Sequence, residues 1–364
     1  MRTENPKTYC IMHREHCVAQ IDTQGSCRIH NEAFLPYDLV LEEGDGFDER
    51  FNNLEEFYHW CASRVLTLDR QYAKEILNSI GAPQSMTDRD RARIALSYHC
   101  LSLTDVYWVC EVGENVSFAQ INLYTHSLDR ALIHLSLRGR QMTVTNAHLL
   151  AGDLSTHGCY PKAWVRKEDG FCLYKDGGAA AVEKEVLASQ ICRCFDCRQV
   201  LYEQTDFEGE PVSVSRIMTN QKYSIVTYAA YDIFCTNREE DTLQNILRLD
   251  AHGYYMMNLL DYLTGNTDRH WENWGLLVDN ETNQPLRLHD LMDFNCAFQQ
   301  YDTLDGANCL TVGRRRLTQR EAAEEAVKAI GLNQRAKVDP ALFTGHPEWY
   351  SMFEQRRTVL KKLL

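Results

Sequence analysis

Residues 265–277 read GNTDRHWENWGLL and residues 286–295 read LRLHDLMDFN. Just before them, TLQNILRLDAHGYYMMNLLDYLTG carries Leu243, Ile246, Leu247, Met257, Leu260 and Leu263 at helical spacing, which predicts a long buried helix interrupted only by Gly253. Asp268, His270 and Asn273 therefore occupy a polar loop hung from the end of a buried helix, and WGLLV reads as a short strand after it. Asp268 can accept a proton from a hydroxyl. Asn273 and Asp290 offer hard oxygen ligands, which suit magnesium rather than zinc. A magnesium that also holds phosphates is the usual reason to combine such ligands. Asn and Asp also form ordinary turns, so this loop alone does not decide the chemistry.

The order of the chain around the loop does. Upstream, GDLSTHGCYPKAWVRKEDGFCLYKDGG reads as a polar turn, a strand (KAWVR), a tight turn at Glu168-Asp169-Gly170 and a second strand (FCLYK). A helix is expected from about Ala180 through VEKEVLASQICRCF, with further strands in VSVSRIM and KYSIVTY. After Asn237 the pattern is helical. Thr318 and Glu321 form a capping box ahead of AAEEAVKAIG, and Gly331 is its stop. A lysine on a strand, then an acid on a helix, then an Asp/Asn loop is the order of a kinase.

D-R-H-x-x-N at 268–273, followed by an acidic residue within twenty positions, resembles the kinase-like fold in its phosphoinositide-kinase and HipA-like branches. Leu154 to Lys162, LSTHGCYPK, resembles the phosphate loop of HipA-type kinases, and the resemblance covers roughly residues 150–330. It implies an ATP- and magnesium-dependent serine/threonine protein kinase, with Asp268 as catalytic base and Asn273 and Asp290 as magnesium ligands. Asp293, in Asp293-Phe294-Asn295, is the alternative to Asp290. Lys175 would contact the α- and β-phosphates, paired with Glu185 or alternatively Glu183. Ser155, Gly158 and Lys162 would form the phosphate loop, with Ser155 a candidate for autophosphorylation. Gly158 suits close phosphate approach because it has no Cβ. Arg216 to Met218 would form the adenine hinge. Arg269 and His270 either meet phosphoryl oxygens or hold the loop in shape, with His270 read as structural. Trp271 and Trp274 are read as anchors of the loop.

Residues 1–150 resemble the N-terminal extension of HipA-like proteins. Their short apolar runs (YCIMH, VAQID, CRIH, YDLVLEE) suggest strands. Helices are expected in NLEEFYHWCASRVL, after Asp69 up to Gly81-Ala82-Pro83, and in DRARIALSYH; VYWVCEV looks strand-like and SLDRALIHLSL helical. The expected fold is thus α+β: an extension over 1–150, a kinase-like N-lobe over 151–236 and a helical C-lobe over 237–364.

The chain has 364 residues and a net charge of -13, which argues against a surface built to hold bare phosphate backbone, so direct nucleic-acid binding is not expected. Gly313-Arg314-Arg315-Arg316 is a basic run in this acidic chain, read first as a solvated face and otherwise as a dock for an acidic peptide or nucleic acid. No secretory signal or bilayer-long apolar run is visible, so a cytoplasmic protein is expected. The 14 cysteines read as reduced thiols, and CRCFDC (Cys192, Cys194, Cys197) lacks the second half of a zinc site. The expected partners are a protein substrate and, by the resemblance, a small antitoxin-like protein. An AMP-transferase, a lipid or small-molecule kinase, and an inactive kinase-fold binding module are the alternatives.

Overall fold

A computed structural model describes residues 6–65, 87–125, 161–168 and 170–364. The helices expected after Asp69 and in SLDRALIHLSL, and the loop carrying Ser155 and Gly158, lie outside the described residues. The chain forms two compact units. One comprises residues 1–175 with two short returns, 219–224 and 279–284; the other comprises 176–218, 225–278 and 285–364.

In the first unit, β1 (Thr8–His13), β2 (His16–Asp22), β3 (Cys27–Ile29) and β4 (Tyr107–Glu111) form a sheet in the order β3-β2-β1-β4. Ile11 and Ile21 on one face and Val18 and Trp108 on the other are fully buried, so both faces of this sheet are covered. YDLVLEE forms no strand. Within it, Glu42 is held by a side chain: buried Asn53 accepts from Glu42 N–H and donates to the carbonyls of Glu42 and Gly25. Asn53 sits on α1 (Phe47–Ser63), which begins earlier than the apolar pattern implied, with Asp48 and Glu49 favouring its first turn. Then come α2 (Asp88–Ser97), whose Thr87–Asp90 capping box is complete, and the single turn α3 (Phe118–Ile121). The hairpin β5 (Lys162–Lys167) and β6 (Gly170–Lys175) matches the strands read from KAWVR and FCLYK.

The second unit opens with α4 (Ala179–Cys192), which packs on the hairpin β7 (Tyr202–Phe207) and β8 (Glu210–Arg216). Glu208 and Gly209 both have positive φ, 58° and 86°, the two-residue turn that matches strand twist. β9 (Tyr223–Thr227) leads into α5 (Tyr228–Asn237) and α6 (Thr242–Thr264). β10 (Gly275–Asp279) and β11 (Gln284–Leu288) complete a sheet in the order β11-β10-β9. α7 (Gln319–Ile330) and α8 (Pro347–Lys361) pack against α6. α7 starts on the expected Thr318–Glu321 capping box and stops at Gly331.

The break in α6 falls at Asp250 (φ -153°, ψ 67°), not at Gly253. The Asp250 carboxylate accepts from Gly253 N–H at 2.9 Å and so caps the second half of the helix. Gly253 is the consequence: a Cβ there would lie 2.7 Å from that carboxylate. No helix among the described residues is long and apolar enough to cross a membrane.

Candidate active site

The second half of α6 ends at Gly265, whose φ of 68° supplies the left-handed stop. A Cβ there would also meet the side-chain ends Arg356 Nη1 at 2.9 Å and Met352 Cε at 3.0 Å, which would have to shift. The loop that follows is organised by Arg269. This side chain is 3% exposed and forms a two-pronged ion pair with Asp261 of α6, Nε to Oδ2 and Nη2 to Oδ1, both 2.9 Å. Its Nη1 donates to the carbonyls of Asn273, at 3.1 Å, and of Met292. One guanidinium thus ties the helix, the far end of the polar loop and the segment leading to Asp293 into one piece. Its face lies over buried Phe294, 5.3 Å from the ring centre. Every polar contact of Arg269 is spent on this scaffold, so it holds the loop in shape. Asp261 was not singled out in the sequence, yet its carboxylate interrupts the apolar run MMNLLDYLTG, and a charge in a buried stripe demands a partner.

Asn266 adds a second tie, donating to Asp261 Oδ1 at 3.0 Å and to the Asp293 carbonyl at 3.3 Å, while Gln319 of α7 donates to the Asn266 carbonyl. Asn273 donates Nδ2–H to the Asp268 carbonyl at 2.7 Å, and no hydrogen bond reaches its Oδ1 from the described residues. The amide nitrogen closes the loop and leaves its oxygen for a ligand. Asp268 itself is half-buried. Burial, the largest influence, raises its pKa above the usual carboxylate range; His270 pulls against this and the charge of Asp293 adds to it. His270 is exposed, and its Nδ1 accepts from Glu272 N–H at 3.2 Å. Trp274 is buried and stacks on Tyr228 at 4.4 Å, so it anchors the loop; Trp271 is 43% exposed and meets Tyr228 edge-on.

The two candidate second ligands differ in their surroundings. Asp290 is ion-paired with Arg287 at 2.8 Å. Asp293 has a left-handed backbone, φ 61°, and its N–H donates to Tyr202 OH at 3.1 Å. Its charge acts on both Asp268 and Arg269. A non-glycine residue at positive φ needs such support from its surroundings.

Glu185 is 1% exposed on α4 and accepts from Ser213 Oγ of β8 at 2.5 Å, whereas Glu183 faces outward and meets His346 Nε2 at 2.9 Å. In the other unit, Lys175 is 6% exposed and pairs directly with Lys162 across the β5–β6 hairpin. Arg216 ends β8 in solvent, and Met218 is half-buried two residues on.

Among the described residues, no three His, Cys, Asp or Glu side chains cluster as a closed metal site. A magnesium shared with phosphates takes only one or two carboxylates from the protein. The free Oδ1 of Asn273 and the crowding of Asp268 by Asp293 are a donor set and a charge imbalance that such a cation would suit. Cys192 is buried, and burial pushes its thiol up; Cys197 Sγ donates to the Cys192 carbonyl at 3.4 Å. The described cysteines form no disulfide.

No protein-family model matches the sequence, and no curated protein matches it. Solved structures do match in shape. One is the crystal structure of a Helicobacter pylori proinflammatory kinase, CtkA, at 14% identity over 56% of this chain and 89% of that one, with a TM-score of 0.45. Another is the Shewanella oneidensis MR-1 toxin–antitoxin complex of HipA, HipB and operator DNA. There the match covers 98% of this chain and 91% of that one at 11% identity, with a TM-score of 0.51. With its α+β architecture, the chain has a fold similar to that of the HipA complex structure.

Proposed function

We propose that this chain is an ATP- and magnesium-dependent phosphotransferase that acts on a serine or threonine hydroxyl of a protein. The observation that carries the reading is the loop fixed by Arg269, which presents the half-buried carboxylate of Asp268 beside Asp293 and the uncommitted Oδ1 of Asn273. Asp268 is the base: it orients the acceptor hydroxyl and takes its proton, a task helped by its raised pKa. Asn273 Oδ1 and Asp293 are the magnesium ligands we assign, because the charge of Asp293 acts on the proposed base Asp268, whereas Asp290 shares one oxygen with Arg287. A bound magnesium would neutralise the charge that develops on the transferred phosphoryl group. Lys175 is the lysine we assign to the donor phosphates, with Lys162 beside it on the hairpin, and buried Glu185 is the acid of that machinery rather than exposed Glu183. The Arg216–Met218 segment is the adenine hinge of this reading.

The test is transfer of labelled γ-phosphate from Mg-ATP to protein. Wild type incorporates phosphate and Asp268→Asn loses at least about a hundredfold, the usual worth of a general base. Undiminished transfer by Asp268→Asn would remove Asp268 from this role. Intact mass separates phosphate from AMP adducts. The likeness to HipA in complex with HipB supports a small antitoxin-like partner for this chain also. Co-purification of such a protein with the tagged chain from its own host would test it.

A further inference from the structure

Beside the Asp268 loop lies an ordered surface with its own character. Residues 307–319 form a loop closed at its base by Cys309 N–H to the Leu317 carbonyl at 2.8 Å, a bridge between Asn308 and Thr318, and Gln319 N–H to the Ala307 carbonyl. Thr311 and Val312 are buried and pin its middle. Leu310, however, is 45% exposed, and its carbonyl accepts the indole N–H of Trp271 at 3.0 Å. Leu310 also lines, with Thr267 and Arg269, a cavity of about 10 Å³ against the back of the loop. Trp271 and Leu310 therefore make an exposed apolar platform held at fixed geometry three residues from the proposed base.

The same loop carries Arg314, Arg315 and Arg316, all exposed. The nearby acids are already engaged. Glu325 holds Arg315 at 2.9 Å, Asp305 and Glu324 hold Arg320, and Glu321 closes the Thr318 cap. Arg314 and Arg316 are left without an ion pair among the described residues, on a chain whose net charge is -13. An exposed apolar step on the loop that also carries two arginines without an ion pair among the described residues is complementary to an extended segment with an apolar side chain and adjacent carboxylates.

We infer that Trp271 and Leu310, with Arg314 and Arg316, form the acceptor dock, and that the substrate is an acidic peptide segment with an apolar residue beside its phosphorylated hydroxyl. This deepens the proposed phosphotransfer and rests on that reading for the word acceptor. The docking itself is measurable without it.

The experiment uses the full chain and three fluorescein-labelled peptides: one with Ser followed by Leu and three Glu, one with Lys in place of Glu, and one with Ala in place of Leu. Anisotropy gives binding, and labelled ATP gives transfer. The Glu peptide should bind about tenfold tighter than the Lys peptide, the sum of two modest exposed ion pairs. That preference should fade as salt rises from 50 to 500 mM. Arg314→Glu with Arg316→Glu should reverse it, and Trp271→Ala should erase the Leu-over-Ala preference. The salt titration of wild type needs no variant to fold. Equal binding of the Glu and Lys peptides by wild type would overturn the dock, whatever the transfer result. Charge-selective binding without any transfer would uphold the dock and overturn the phosphotransfer reading.

Discussion

Arg269→Ala should separate the loop from its helix, and its cost can be worked from the contacts. The substitution removes both prongs of the pair with Asp261 and the charged donor to the Asn273 and Met292 carbonyls. Asp261, itself 3% exposed, keeps only Asn266 Nδ2 at 3.0 Å as a partner for its carboxylate among the described residues. Stranding one member of a buried ion pair costs about 3–5 kcal/mol. At about 2–4 °C per kcal/mol for a unit of this size, the melting temperature should fall by roughly 10 °C. Arg269→Lys keeps the charge but not the fork, so it should lose a smaller part of this and still misplace the loop. Asp261→Leu with Arg269→Met should recover much of the stability, since an apolar pair strands no charge. Phosphate transfer should stay low in that double variant, because the Asn273 and Met292 carbonyls still lack their donor. Thermal melting of the four proteins, read beside transfer, checks the set. An Arg269→Ala protein that melts within about 2 °C of wild type would refute the reasoning, since no buried charge could then have been stranded.

Asp293→Asn should abolish transfer and weaken the magnesium dependence, while Asp290→Asn should retain transfer within about tenfold; kinetics against magnesium concentration compare them. Gly275→Ala should be severely destabilised, by more than about 3 kcal/mol, because its Cβ would lie 2.0 Å from the Val226 carbonyl oxygen and 2.7 Å from Thr227 Cα; the melting temperature reads this directly. Stability should also fall in acid. Burial lowers the pKa of both His289 and His13 from 6.5 to about 4, so each stays neutral when folded while the unfolded chain takes up a proton below 6.5. Their contribution is complete above about pH 6.5 and is lost as pH falls from 6.5 towards 4. Melting should therefore shift down between pH 7 and pH 5, and His289→Gln should flatten that slope.

How much of this could be read from residues alone depended on whether the deciding interaction was local. The Thr318–Glu321 box, the Gly331 stop and the β5–β6 hairpin follow from neighbours in sequence, and each formed as expected. YDLVLEE has a strand's alternation but forms no strand, and the backbone of its Glu42 is held by Asn53 of α1, a partner no window over residues 37–43 contains. The α6 break went to Asp250 because its carboxylate could cap the helix after it, and Gly253 marked the cap rather than the break. Asp290 and Asp293 are equivalent as letters. What separates them is Arg287, only three residues from Asp290, and the Tyr202–Asn266 support of Asp293, which packing alone supplies. The loop D-R-H-x-x-N was legible as chemistry, but the ion pair that shapes it joins residues eight apart across a helix end and needed the fold to be seen.

The most direct test is a crystal structure of the chain with magnesium and a non-hydrolysable ATP analogue. The account predicts a magnesium held by Asn273 Oδ1 and the Asp293 carboxylate, with the γ-phosphate facing Asp268. A nucleotide absent from this loop under saturating conditions, or a metal bound at Asp290 with Asp293 turned away, would contradict it.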